Sequence, residues 1–380
     1  MAKEQCFIIE PLDRLFFRGN YSFYKSDSSS DFVKSVFPPS PFSITGLIRS
    51  LLARYYGWDG SSKWDENIIS KLGDGTDLGP LDFFGPYLLL KEDNQFHPLF
   101  PVPLHIIGHI SSQKNEEIVD LDYLIPSKQK YLSSISKDKH DRKSILLPRR
   151  SGNYGYKTLQ NYYVKFDDLE RLLSFSSESL KNVRFLSENK LWQKENEIGI
   201  EIDPTTNTAV TGNLFSRQMI RLENIVLCMK VNGIDLLDSI ENWCNRIGGE
   251  GKIANISYKE IEFPVIDKIP PISTVSDNFT ITFITPAYLG DSLDEVMTFL
   301  SKKFGSEVIG ANIGDILRIG GWNAVKKEPL EVRPFIPPGS TFFFDEKNTS
   351  SLKRLVSNKI GKLTEFGFGQ FLFGKWERGD

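Results

Sequence analysis

The sequence predicts an α+β chain in which one β-α-β-β-α-β unit occurs twice. Three observations lead there. Two glycine-rich runs each lead into an apolar strand: Asn245-Arg246-Ile247-Gly248-Gly249-Glu250-Gly251-Lys252, and Gly361 to Gln370 with Gly367-Phe368-Gly369 at its centre. Each run follows a segment with amphipathic helical spacing. Pro264, Pro270 and Pro271 mark a break between the two. A length of 380 residues suits two domains.

The elements follow in order. Cys6–Phe17 is apolar and β-prone, a first strand. Arg18–Ser35 is loop-like, with Ser26, Ser28, Ser29 and Ser30 close together. Phe37-Pro38-Pro39-Ser40-Pro41 stops regular structure. Ser43–Tyr56 then places Ile44, Leu47, Ile48, Leu51, Leu52 and Tyr55 on one helical face. Its cap is either Ser43, or Ser40 with Pro41 at the first helical position. Asp82–Leu90 and Phe96–Ile110 read as extended. Ile198–Phe215 alternates about Asp203-Pro204 and Asn207, a β-hairpin. A strand at Asn224–Val231, a helix at Ile234–Ile247, the first glycine loop and a strand at Ile253–Phe263 complete the first unit.

The second unit has a strand at Phe279–Thr285 and a helix at Ser292–Phe304. Strand-like segments follow at Ile316–Ile319 and Ser340–Phe344, then a helix at Ser351–Lys359 and the closing glycine loop and strand. This order is the ferredoxin-like (RRM-like, βαββαβ) one. The expected domains are residues 1–267, with a large insertion at about 94–221 that includes the hairpin 198–215, and residues 268–380.

Composition narrows the function. Hydrophobic residues are 40% of the chain and Phe occurs 28 times, enough for real cores. A net charge of −3 excludes nucleic-acid binding through bulk charge, so any such binding uses local patches. Cys6, Cys228 and Cys244 lie far apart in sequence, and nothing in their spacing resembles a disulfide framework or a zinc knuckle. The four histidines, His97, His105, His109 and His140, form no His-Glu-x-x-His pair, so neither metal nor cofactor is expected. The N-terminal residues lack signal-peptide anatomy and no apolar run approaches membrane-spanning length, so the expected location is cytoplasmic, with no membrane contact.

Three groups of residues point to a phosphate chain. Glycine lets backbone N–H groups approach a ligand closely, so Gly248, Gly249, Gly251 with Lys252, and Gly367, Gly369 with Gln370, are candidate contacts. An ordinary tight turn explains the same glycines about as well. Neither run is a P-loop, since Gly-x-x-x-x-Gly-Lys-Ser/Thr is missing. Pro126–Lys165 holds ten Lys/Arg opposed within the window only by Asp138 and Asp141, with five tyrosines interleaved. Phosphate charge and base stacking together suit single-stranded RNA, and Arg149 and Arg150 are its best candidates, a solvated loop being the other reading. Ser43, Thr45 and Arg49 stand near the start of the first helix, where unpaired N–H groups attract phosphate. Plain capping explains Ser43 equally well. Gly46 costs that helix about 1 kcal/mol relative to Ala, which suggests close approach by another backbone. Trp322 follows Gly320-Gly321 and suits either base stacking or a core. Asp27 and Asp31 read as a solvated loop rather than as catalytic groups.

These residues also resemble a known family. The chain is similar to the RAMP superfamily, and within it to the subunit of type III-B CRISPR (Cmr) effector complexes that holds the 5′ end of the guide RNA. The resemblance rests on Glu10-Pro-Leu-Asp13-Arg-Leu-Phe-Phe-Arg18, Pro38-Pro39-Ser40 with Thr45-Gly46-Leu-Ile-Arg49, and Gly85-Pro86-Tyr-Leu with Phe100-Pro-Val-Pro-Leu104. It continues through Gly199 to Phe215, Thr285-Pro286-Ala287, Gly320-Gly321-Trp322, Pro337-Pro338-Gly339-Ser340 and Phe366-Gly367-Phe368-Gly369. It implies a non-catalytic subunit in antiviral defence that grips the guide's repeat-derived tag. The implied partners are guide RNA, the large polymerase-like subunit and a backbone subunit. It also implies a thumb-like hairpin, matched by Ile198–Phe215 and its turn residue Asn207. Glu250 and Glu365 depart from a purely phosphate-friendly loop. Two alternatives are a metal-independent guide-processing ribonuclease and a purely architectural subunit. Relatives that process guides often carry a His in the first helix, and this helix has none.

Overall fold

A computed structural model of the chain describes residues 2–19, 32–75, 77–111, 117–132, 142–150, 155–176, 178–234, 241–266, 268, 270–323 and 328–378. The serine-rich segment with Asp27 and Asp31, and Lys137 to Asp141, lie outside these residues. So do Ser151 to Tyr154 and positions 235–240.

Eight strands carry the two predicted units. The first four are β1 (Ala2–Pro11), β2 (Asp82–Glu92), β3 (Ile225–Asn232) and β4 (Ile253–Phe263). They stand side by side in the order β2-β3-β1-β4, every neighbour antiparallel. The second four are β5 (Phe279–Phe283), β6 (Val308–Asn312), β7 (Thr341–Phe344) and β8 (Phe371–Lys375). Their order is β6-β7-β5-β8, the same permutation. The first set is the centre of an eight-stranded sheet. Gln95–Pro101, Tyr162–Lys165 and Leu186–Ser187 extend it beyond β2, and Trp243–Arg246 extends it beyond β4.

Side-chain alternation explains why the first sheet is buried on both faces. Ile225, Leu227, Met229 and Val231 of β3 join one core with Phe7 and Ile9 of β1 and the inner face of the helix Pro41–Tyr55. Val226 and Cys228, with Cys6 and Ile8, face a second core. That second core also holds Tyr123 and Leu172 of the insertion and Phe343 and Trp376 of the second unit, so it joins the two halves. The second sheet turns Phe279, Ile281, Phe283, Phe342 and Phe344 toward Val296, Leu300 and Phe304 of the helix Leu293–Phe304. Ser292 starts that helix by accepting the Glu295 amide, and Gly305 ends it in the left-handed region.

The insertion lies between β2 and β3. It contributes the three sheet extensions beyond β2, a hairpin at 192–222, and a separate four-stranded sheet. In that sheet Arg142–Pro148, Glu117–Leu132, Ile106–Ser111 and Lys157–Thr158 lie in order.

Several expectations need correction. The expected helix Ile234–Ile247 gives way, over its described part, to the edge strand Trp243–Arg246, because pairing with β4 outweighs local spacing. The Ile316–Ile319 segment belongs to a separate hairpin, Leu317–Asn323 with Glu328–Phe335. The second sheet instead takes Val308–Asn312, a short strand with a register shift next to Gly310. The expected helix Ser351–Lys359 shrinks to Thr349–Leu352. The expected hairpin 198–215 is the outer part of a longer one, Trp192–Ile202 with Ala209–Leu222.

Candidate functional site

The helix Pro41–Tyr55 links the two glycine loops. Ser40 precedes Pro41 at its N-cap, with no side-chain capping bond and no acidic residue in the first turn, so this helix start keeps its positive character. Phe42 packs edge-on against Phe366 (5.0 Å) and Phe368 (4.9 Å) of the C-terminal loop. Thr45 Oγ1 donates to the Phe366 carbonyl at 3.2 Å. One turn further along, Ser50 Oγ accepts from Asn245 Nδ2 at 2.9 Å, just before the first glycine loop.

The helical period sorts the predicted residues by face. Thr45 and Arg49, four apart, point inward and are buried. The Arg49 guanidinium donates to the Leu72 carbonyl at 2.7 and 3.0 Å and to the Gly73 carbonyl at 3.1 Å, so it closes the C-terminus of the helix Glu66–Leu72. Burial lowers it to about 10, with Asp77 and Asp74 opposing, and it remains a cation at neutral pH. Ser43, Gly46, Ser50 and Arg54 form the outward stripe, half-buried or exposed. A Cβ at Gly46 would meet nothing within 4 Å, so no packing inside the chain calls for glycine there.

The two glycine loops sit in different surroundings. In the C-terminal loop Gly367, Phe368, Gly369 and Gln370 are buried. A Cβ on Gly367 would overlap the Gly85 carbonyl, and one on Gly369 the Ile360 carbonyl. Gln370 Oε1 accepts from the Gly85 amide at 3.1 Å and from the Tyr87 hydroxyl, and the Gln370 amide donates to Thr285. These residues therefore hold the two units together, and Lys362 and Glu365 are what the loop exposes. Lys362 and Arg333 both lie over the Tyr288 ring, at 5.4 and 5.2 Å.

The first loop is open at its tip, while a Cβ on Gly248 would overlap the Phe16 carbonyl. Gly248, Glu250 and Gly251 are exposed, and a Cβ on Gly251 would meet nothing. Gly249 donates to the Phe16 carbonyl at 2.8 Å, which fixes the loop against the strand exit. Glu250 pairs with Arg217, and Arg217 with Glu197 at 3.2 Å, so the hairpin stands tied to this loop. Arg14 reaches Glu195 (3.5 Å) and Glu197 (3.6 Å), Arg221 reaches Glu195 and Asp13, and Lys252 reaches Asp13 at 3.8 Å. Hydrogen bonds from Arg221 and Arg217 hold the Glu195 and Glu197 carboxyls below their ordinary range. This lattice escaped the sequence reading, because its members come from three separate segments. Its one sequence signal is the alternation of Glu195 and Glu197 on one strand of the hairpin, with Arg217 opposite Glu197 and Arg221 diagonal to Glu195 on the other.

Beyond the lattice the hairpin exposes Ile198, Ile200 and Ile202. Asp203 Oδ1 accepts from the Thr205 amide at 2.7 Å, and Asn207, at φ 52°, closes the turn. Arg149 and Arg150 lie elsewhere, beside the insertion's own sheet. Arg150 bonds Asp120 at 3.1 Å and approaches Asp122 at 3.7 Å, two carboxylates from outside the basic window. Arg149 lies over the Phe175 ring at 5.3 Å. Trp322 is 56% exposed on the second hairpin.

Among the described residues no group of three or more His, Cys, Asp or Glu could hold a metal ion. Among them, too, no helix is long and apolar enough to cross a membrane.

Two solved structures are similar to this chain. One is the type III-B Cmr-beta complex bound to cognate target RNA, solved by cryo-EM. The match has 16% identity and a TM-score of 0.51, covering 97% of this chain and 96% of that one. The other is the same kind of complex with target RNA and AMPPnP. It has 15% identity and a TM-score of 0.46, over 89% of this chain and 86% of that one. No curated protein matches. The CRISPR-associated protein family Cas_Cmr3 matches residues 7–376, and with that match spanning both sheets, the insertion and the closing strand, the chain belongs to this family.

Proposed function

We propose that this chain is a non-catalytic subunit of a type III-B CRISPR ribonucleoprotein that holds the 5′ repeat-derived tag of the guide RNA. Its partners in this reading are the large polymerase-like subunit and a backbone subunit. Each four-strand set, with its shared order, is a ferredoxin-like unit, and the insertion belongs to the first. The observation that carries the RNA contact is Gly46. It sits in a helix, is exposed, and has open space where a side chain would go. Glycine is costly there, and a close-lying external backbone accounts for it. The stripe Ser43-Gly46-Ser50-Arg54 gives a sugar–phosphate chain a smooth track. It runs from the uncapped helix start toward the open loop Gly248–Lys252, beside the hairpin with Asn207 at its turn. In this reading Ser43, Gly248, Gly249, Gly251 and Lys252 face RNA. Thr45, Arg49, Gly367, Gly369 and Gln370 support that surface from behind, and Arg149 and Arg150 are a separate and weaker contact.

The test is Gly46→Ala and Gly46→Gln. Both should raise the melting temperature of the isolated chain, since each removes about 1 kcal/mol or less of helix penalty. Both should also lower guide retention in the assembled complex, Gln more than Ala. Unchanged retention with a stabilised chain would refute the track. A processing nuclease is separated by incubating the pure protein with precursor RNA in EDTA, where cleavage at a defined site would favour it.

A further inference from the structure

β8 ends its sheet, and its outer edge is chemically unfinished. The register pairs Phe371 with Phe283, Phe373 with Ile281 and Lys375 with Phe279. The Ile284 amide donates to the Gln370 carbonyl on the β5 side, and the Phe371 amide donates to the Asn358 carbonyl on the opposite side. Antiparallel alternation then turns the main-chain groups of residues 370, 372 and 374 inward and those of 371, 373 and 375 outward. Asn358 takes the Phe371 amide, and among the described residues no main-chain partner meets Phe373 or Lys375.

A groove of about 560 Å³ runs along this edge, a size typical of ligand clefts. Phe166, Leu173, Val265 and Phe373 give it apolar walls. Its ionisable residues are Glu170, Lys268 and Lys375, a positive balance. Val265 is 48% exposed, so the wall is open to an incoming chain.

We propose that this edge receives an extended segment of a partner protein as an added strand, apolar at alternate positions and carrying a carboxylate near Lys375. Backbone N–H and C=O groups spaced along an extended peptide match those of Phe373 and Lys375, and alternate side chains fill the apolar wall. A nucleic-acid strand offers no such ladder and gains little from Phe166, Leu173 and Val265. The two lysines favour an acidic residue in the segment. The proposal rests on the chain assembling with other proteins, and not on its RNA contact.

Amide hydrogen exchange tests it, on the full chain alone and in the assembled complex, with and without guide RNA. The Phe373 and Lys375 amides should slow at least tenfold when the protein subunits are added, without RNA. Lys375→Pro, which removes an outward amide and leaves the β5 pairing intact, should weaken assembly at least tenfold, and Lys375→Ala less. Normal assembly with those amides still fast would overturn the added strand and leave the subunit reading standing. Protection only on adding RNA would also overturn it, and so would a Lys375→Pro chain that assembles like the parent.

Discussion

Gly369 and Gly251 both sit at positive φ, 75° and 64°, yet they answer to different neighbours. Gly369 presses on the Ile360 carbonyl, and Gly251 opens onto solvent. Gly251→Ala meets only the left-handed penalty, about 1–2 kcal/mol. Gly369→Ala adds a clash with backbone that cannot move without disturbing the Gln370 bonds to Gly85 and Tyr87. Thermal unfolding should show Gly369→Ala as clearly the more damaging, and Gly251→Ala should mainly weaken guide retention. Equal melting temperatures would mean that the C-terminal loop does not join the two four-strand sets.

The two long helices were legible in the sequence. Pro41–Tyr55 and Leu293–Phe304 appear close to the expected Ser43–Tyr56 and Ser292–Phe304, and in the fold Pro41, Ser292 and Gly305 bound them. Val308–Asn312 was not legible, since Gly310 and Asn312 are poor strand formers and the strand is only half-buried. Trp243–Arg246 was misread because pairing with β4 is a long-range fact that local spacing does not carry. The same limit hid the partners of Arg150: Asp120 and Asp122 reach it only through the folded sheet. Thr45 and Arg49 stand four apart and share one face of the helix, and only the fold makes that face the buried one.

Arg49 ties one helix to the end of another. Arg49→Ala leaves the Leu72 and Gly73 carbonyls without their donor, at a cost of roughly 2–4 kcal/mol. Chemical denaturation should show that loss, while guide retention per folded molecule stays near the parent's. A stable Arg49→Ala chain that releases the guide would move Arg49 to the RNA surface.

Across the whole molecule, the insertion meets the second unit at His105. The ring is fully buried, lies 5.6 Å from Phe343 and 5.8 Å from Tyr123, and bonds Thr341 through Nδ1 at 3.2 Å. Burial pushes it down to about 3 from its ordinary 6.5. Between those values the unfolded chain binds a proton that the folded chain refuses, so stability falls as pH drops from about 6.5 toward 3. His105→Phe removes the titrating group, so its melting temperature should fall less than the parent's between pH 7 and pH 5. Identical pH profiles would show that His105 is not held neutral in the fold.

Also across the whole molecule, the exposed stripe of the helix Pro41–Tyr55 lies beside the first glycine loop, and ion pairs tie that loop to the hairpin. The most direct test of that arrangement is photo-crosslinking from the 5′-terminal nucleotides of the guide RNA in the assembled complex. Crosslinks should map to residues 43–54, to Gly248–Lys252 and to the hairpin 198–210. Crosslinks confined to the Arg149 and Arg150 region, or absent from this chain altogether, would contradict it.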